Sequence, residues 1–150
     1  MPTVFLLRHG EAMSPSISMT DRDRRLTTRG RQDITAQAEY LHRQHPEPLR
    51  IIHSPYLRTR ETAELVNERF GLELAVMNDL VPHGNPSAVV DQLLGIEEDT
   101  LLVTHLPLIA DVAALMVQKR LPFFPGTLAE IKRDDACLAE GKLGWFRHPE

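Results

Sequence analysis

Three short, unbroken apolar runs punctuate the chain: Val4-Phe5-Leu6-Leu7, Ile51-Ile52 and Leu101-Leu102-Val103. Runs of this length without alternation fit strands buried on both faces. Between them the apolar positions change to helical spacing. Ile34, Ala38 and Leu41 fall at i, i+4 and i+7 behind the capping residues Thr27 and Thr28, predicting a helix that gives way near His45-Pro46. Strand two is expected over Leu49–His53. Ser54-Pro55 reads as N-cap and first residue of a helix with Ala63, Val66 and Phe70 inward and Gly71 at its end. Leu72–Met77 reads as a third strand. Asn85-Pro86 opens a helix with Val89, Val90, Leu93 and Leu94 on one face and Gly95 at its end. Strand four spans Thr100–Thr104, and Leu106-Pro107 starts a helix with Ile109, Val112, Ala113 and Met116 inward.

The tail changes character. Thr127–Arg133 and Lys142–His148 read as strands around the turn-rich Asp134–Gly141, an antiparallel pair closing one sheet edge. Strand–helix alternation ahead of that pair predicts an α/β fold: a three-layer α/β/α sandwich, mostly parallel, with an antiparallel C-terminal edge. Right-handed crossovers set every strand-to-helix turn on one rim of the sheet. The 150 residues show no repeat or linker, so one domain over residues 1–150 is expected.

Composition narrows the class. The chain is 42% hydrophobic and 25% charged, as in ordinary globular proteins, and its net charge of −4 supplies no basic field for nucleic acid. A lone cysteine, Cys137, cannot form an internal disulfide and reads as a passive thiol far from the strand ends. With no apolar leader at Met1–Thr3, a cytoplasmic location is expected. No apolar stretch approaches the ~20 residues that span a bilayer.

Against this mildly acidic background, cationic and imidazole side chains gather at strand ends. Arg8-His9-Gly10 closes the first strand, Ser54-Pro55-Tyr56-Leu57-Arg58 follows the second, and His105 follows the fourth. That rim is where open α/β sheets bind ligands. Two imidazoles with two guanidiniums suit an oxygen-rich dianion, phosphate first among them. A neutral His9 is a competent nucleophile toward phosphorus once its other ring nitrogen is held, for which a carbonyl of the Gly10–Ala12 turn would serve. Arg8 and Arg58 present forks that match phosphate oxygens, and Arg58 adds the anion preference of a helix N-terminus. His105 would donate to a phosphoryl oxygen. Arg25, at the end of the long polar loop Gly10–Arg24, is a third candidate clamp. Each has a plainer reading: Arg58 as a solvated helix charge, His105 as a satisfied core histidine, and Arg22, Arg24, Arg29 and Arg60 as surface cations. His42, His45, His53 and His148 read as ordinary, whereas His83 lies in a loop of the same rim. Metal ligation is disfavoured because no H-x-x-x-H spacing occurs and the arginines repel cations; no cofactor is expected, and no nucleotide-binding glycine motif is present.

These segments coincide with family motifs. Leu7-Arg8-His9-Gly10-Glu11-Ala12 resembles the signature of the histidine phosphatase superfamily, the phosphoglycerate-mutase-like fold. Arg25-Leu26-Thr27-Thr28-Arg29-Gly30 resembles its L-T-x-x-G segment, Ser54–Thr62 its S-P-x-x-R-x-x-x-T segment, and Thr104–Leu108 its S-H-x-P block. The short length and the last block look most similar to SixA-type phosphohistidine phosphatases, which lack the large helical insertion over the site. The resemblance implies His9 as nucleophile, Arg8, Arg58 and His105 as the phosphate pocket, and Arg25 as an extra phosphate contact. It implies a metal-independent phosphatase whose substrate is a phosphorylated histidine on a protein, such as a phosphotransfer domain. The acidic proton donor of many members falls in the segment Asn78–Gly84, where Asp79 is the only carboxylate.

Size points the same way. Only Gly10–Arg24 and Asp79–Asn85 are spare to build walls, so a shallow site open to a side chain of a folded partner is expected. Two other readings stay open: a small-molecule phosphomonoesterase of the same superfamily, and a phosphohistidine-binding module without turnover.

Overall fold

The computed structural model describes residues 2–16, 19–133 and 141–150. Met1, Ser18, Cys137 and most of the turn expected at 134–141 lie outside these residues.

Among the described residues, six strands form one sheet. In chain order they are β1 (Thr3–Arg8), β2 (Arg50–His53), β3 (Leu74–Val76), β4 (Thr100–Thr104), β5 (Leu128–Lys132) and β6 (Lys142–Arg147). Across the sheet the order is β3-β2-β4-β1-β5-β6. The pairs β2–β3, β2–β4 and β1–β4 are parallel, whereas β1–β5 and β5–β6 are antiparallel, which is the mixed arrangement expected from the tail. Four helices cover the two faces: α1 (Thr28–Gln44), α2 (Leu57–Asn67), α3 (Pro86–Leu94) and α4 (Leu108–Val117).

The period-two geometry of strands explains the unbroken apolar runs. Phe5, Leu7, Ile51, Leu101 and Val103 pack on one face with Ile34, Ala38 and Leu41 of α1 and Ala63 and Val66 of α2. Val4, Leu6, Ile52 and Leu102 point the other way, onto Val89 and Leu93 of α3 and Ile109, Val112, Ala113 and Met116 of α4. Val4–Leu7 of β1 and Leu101–Val103 of β4 are therefore core on one side or the other.

Several element edges differ from the sequence reading. β2, β3, β5 and β6 are shorter than expected by one or two residues at an end, β1 extends one residue beyond the Val4–Leu7 run at each end, and β4 is as expected. The second helix begins at Leu57 with Tyr56 as N-cap, not at Ser54-Pro55; the Ser54 hydroxyl accepts from the Tyr56 amide and also meets His105. The fourth helix begins at Leu108 rather than at Leu106-Pro107. In α3, Leu94 is 57% exposed, outside the buried face assigned to it. Val89 and Leu93, one turn apart, already fill the stripe that meets the sheet, and Leu94 lies ~100° around the helix from Leu93. The caps at Thr27 and Asn85 form as read: Thr27 accepts from the Gly30 amide, and Asn85 from Ser87 and Ala88.

The topology puts the chemistry in one place. β1 and β4 are neighbours, with Arg8 level with Thr104, yet their following helices leave to opposite faces of the sheet. Such a divergence opens a crevice at the carboxyl ends of the two strands. His9 and His105 are the first residues beyond those ends.

Candidate active site

Backbone bonds fix the floor. The His9 amide donates to the Thr104 carbonyl at 3.1 Å, and the Ser54 amide to the Val103 carbonyl at 3.1 Å, extending the strand register by one residue. The turn after β1 is clamped by the Gly10 amide, which donates to Thr62 Oγ1 at 3.2 Å, while Thr62 donates to the Arg58 carbonyl at 2.7 Å. One buried threonine thereby ties the β1 turn to the first turn of α2.

His9 is 5% exposed, and its Nδ1 lies 2.7 Å from the Gly10 carbonyl. A carbonyl only accepts, so Nδ1 carries the proton and Nε2 keeps its lone pair. Arg58 Nε donates to that Nε2 at 3.3 Å. The imidazole ring of His105 stands 5.2 Å from that of His9, at 62°. His105 Nε2 is 2.8 Å from Ser54 Oγ, while its Nδ1 is buried and has no hydrogen-bond partner.

The guanidiniums are held from behind. Arg8 Nη1 donates to the Phe123 carbonyl at 2.9 Å, and its buried Nε has no partner. Arg58 donates to the Asp21 carbonyl at 2.7 Å, meets the Asp21 carboxylate at 3.5 Å, and lies 4.9 Å over the Tyr56 ring. Tyr56 also sets its ring edge against His105 at 4.9 Å. Four of the residues singled out from the sequence, Arg8, His9, Arg58 and His105, are thus brought together, and two buried nitrogens among them, Arg8 Nε and His105 Nδ1, have no hydrogen-bond partner within the protein.

Charge sets the protonation states. Burial, followed by the nearby Arg58, Arg8 and Arg24, outweighs the Gly10 bond and lowers the His9 pKa to about 3. Burial, then His9 and the same arginines, lowers His105 to about 2. Arg8 is lowered by burial and by Arg58, and Arg58 chiefly by burial. The cluster is therefore two neutral imidazoles with two cations, short of negative charge. Among the described residues, no group of three or more histidine, cysteine, aspartate or glutamate side chains is arranged to hold a metal ion.

Other candidates lie elsewhere. Arg25 is exposed, and the cation felt at both imidazoles is its neighbour Arg24, which donates to the Met13 carbonyl at 2.6 Å and pairs with Asp21 at 2.8 Å. Asp79 accepts from Gln92 of α3 at 2.5 Å, and both line a groove of about 520 Å³ beside β3, whose lining includes none of the four clustered residues. His83 is exposed, and Arg60 faces solvent beside Glu64. Sequence reasoning missed Ser54, Thr62, Tyr56, Asp21 and Arg24. Ser54 and Thr62 sit inside the S-P-x-x-R-x-x-x-T run, so their spacing from Arg58 was a usable signal; an acid beside a phosphate-seeking arginine carried none.

Residues 4–81 match the family model described as the histidine phosphatase superfamily (branch 1). The chain is 34% identical over 147 residues to the phosphohistidine phosphatase SixA homolog of Haemophilus influenzae Rd, covering 87% of this chain and 88% of that one. It is 29% identical over 154 residues to phosphohistidine phosphatase SixA of Escherichia coli K12, covering 97% and 93%. Among solved structures, the protein histidine phosphatase SixA complexed with tungstate superposes with a TM-score of 0.87 at 28% identity, over 96% of this chain and 95% of that one. The fold is shared also with a putative phosphohistidine phosphatase SixA from Agrobacterium tumefaciens, with a TM-score of 0.86 at 20% identity over 99% of both chains.

Proposed function

This chain belongs to the histidine phosphatase superfamily, branch 1, and is a homologue of the SixA-type enzymes; from that premise we propose that it hydrolyses phosphohistidine on a protein through a covalent intermediate at His9. The single observation that carries this reading is the His9 ring itself. Its Nδ1 proton is committed to Gly10, and its bare Nε2 faces a donor of Arg58. A binding module has no use for a neutral nucleophile so placed.

The chemistry runs in two displacements. His9 Nε2 attacks phosphorus, its new P–N bond forming as the substrate's P–N bond breaks, and the departing imidazole takes a proton from solvent. Water then attacks phosphorus, the bond to His9 breaks, and inorganic phosphate leaves as the water gives up its proton. Arg8, Arg58 and His105 stabilise the equatorial oxygens in both steps, since phosphoryl transfer depends mainly on positioning and charge. Tungstate bound to the SixA relative is an oxyanion of comparable shape.

The reading assigns no general acid. Asp79, bonded to Gln92, is the one carboxylate of its segment, and ester substrates with alkoxide leaving groups need a donor that contributes typically ~10²–10⁴-fold. An imidazole leaving group is far less demanding. A protein-borne phosphohistidine is thus favoured over a small phosphate ester.

The test is rapid acid-free quenching after mixing with a ³²P-phosphorylated histidine phosphotransfer protein. An acid-labile, base-stable label is expected on His9, and His9→Ala should lower turnover by at least ~10³-fold with the fold retained. Turnover near wild type in His9→Ala, or faster hydrolysis of phosphate esters than of the phosphoprotein, would overturn the proposal.

A further inference from the structure

Ser54 is completely buried, and its hydroxyl has two neighbours: the Tyr56 amide, which donates to it at 3.2 Å, and His105 Nε2 at 2.8 Å. A hydroxyl has one proton to give. The amide is itself a donor, so it cannot accept that proton. If His105 Nε2 were the protonated nitrogen, Ser54 would receive two donors and leave its own O–H buried without an acceptor, an arrangement that folded proteins rarely keep. With the proton placed the other way, the hydroxyl accepts from Tyr56 and donates to Nε2, so both of its bonds are made and only Nδ1–H is left without a partner in the protein.

From this we infer that Ser54 is a positioning residue: its hydroxyl donates to Nε2 of His105 and so holds the His105 proton on Nδ1. The Nδ1 atom is the buried one without a partner, in the imidazole packed against His9. A phosphoryl oxygen offers only lone pairs. The Nδ1–H tautomer therefore supplies a donor from a neutral ring, whereas the other tautomer would set a lone pair against the anion. Burial, then His9 and the nearby arginines, keep that ring neutral. Ser54 thus acts on substrate through His105 rather than by contact, as outer-shell partners of histidine ligands do in metal sites. The spacing Ser54 to Arg58 lets one strand-to-helix turn deliver both the tautomer setting and a guanidinium.

The catalytic consequence rests on the phosphatase reading above, but the proton's position does not. Long-range ¹H–¹⁵N correlation spectra of the ¹⁵N-histidine-labelled protein at neutral pH report it directly. In the wild-type protein the proton of His105 is expected on Nδ1. In Ser54→Ala a shift to the Nε2–H form, or a mixture, is expected, with kcat/KM on the phosphoprotein falling ~10–100-fold, and Ser54→Thr recovering most of the loss. A wild-type His105 protonated on Nε2 overturns the inference, even in an active enzyme. So does a Ser54→Ala protein that keeps the Nδ1–H form, or one whose turnover is unchanged after the tautomer has moved. Should the variants not fold, the wild-type spectrum alone decides. An Nδ1–H spectrum from a protein without phosphatase activity would leave the role of Ser54 standing and sink only the enzymatic reading.

Discussion

At the scale of single residues, the site is governed by what two neutral imidazoles do near two cations. The pKa of His9 is lowered to about 3 from an ordinary 6.5. An unfolded chain binds a proton at this residue as pH falls through ~6.5, whereas the folded chain does not until near 3, so stability rises with pH across that window. The contribution is present above pH ~6.5 and is lost as pH falls toward 3, and His105 adds in the same sense. NMR titration of the free protein should show neither imidazole protonating above pH ~4, and a bound oxyanion should raise both values, because a nearby negative charge favours imidazolium. A His9 that titrates near 6.5 in the free protein would contradict this. The residues that the sequence singled out and the fold brings together, Arg8, His9, Arg58 and His105, are those whose type alone suggests phosphate chemistry. Ser54 was read as a helix cap because its alternative partner, His105, is 51 residues away.

At the scale of elements, close packing of a turn against a helix start positions His9. A Cβ on Gly30 would overlap the Glu11 carbonyl oxygen, and one on Gly10 would come within 2.9 Å of the Gly30 carbonyl oxygen. The same contact is stitched by the Thr27 amide to the Glu11 carbonyl at 3.0 Å, and the Leu26 amide, donating to Glu61 at 2.9 Å, ties the start of α1 to α2. Gly30→Ala must therefore push the turn after β1 away from α1. It is expected to cost ~1–3 kcal/mol in urea unfolding and to depress kcat/KM as Gly10, which holds His9, moves with it. An unchanged unfolding midpoint with full activity would show that the packing is slack. Element types were legible because their apolar period differs between strand and helix. Starts were less so: Ser-Pro at 54–55 has the chemistry of a cap, and the hydroxyl does accept from the Tyr56 amide, but it is shared with His105 and α2 begins only at Leu57.

At the scale of the whole molecule, two buried or half-buried guanidiniums stand in a chain of net charge −4, and the carboxylate nearest Arg58, that of Asp21, is 54% exposed. The like-charged pair costs stability that a bound dianion offsets. Inorganic phosphate at ~100 times its Kd should stabilise the protein by about 2.7 kcal/mol, read as a higher Tm in calorimetry at matched ionic strength. In Arg8→Met that shift should shrink sharply, with ligand-free stability equal to or above wild type; an undiminished shift would remove Arg8 from the pocket. Among the described residues no helix is long and apolar enough to cross a membrane. By itself the sequence determined which segments are strands and helices, most of their buried faces, and which residues have the chemistry to meet a phosphate, because period and side-chain chemistry are local properties. Tertiary structure alone decided that β4 inserts between β2 and β1 and sets His105 beside His9, that Arg24 rather than Arg25 turns its charge toward them, and that Asp79 is bonded to Gln92. Those outcomes depend on pairings between distant parts of the chain, chosen by packing both sheet faces at once, which no single stretch of sequence encodes.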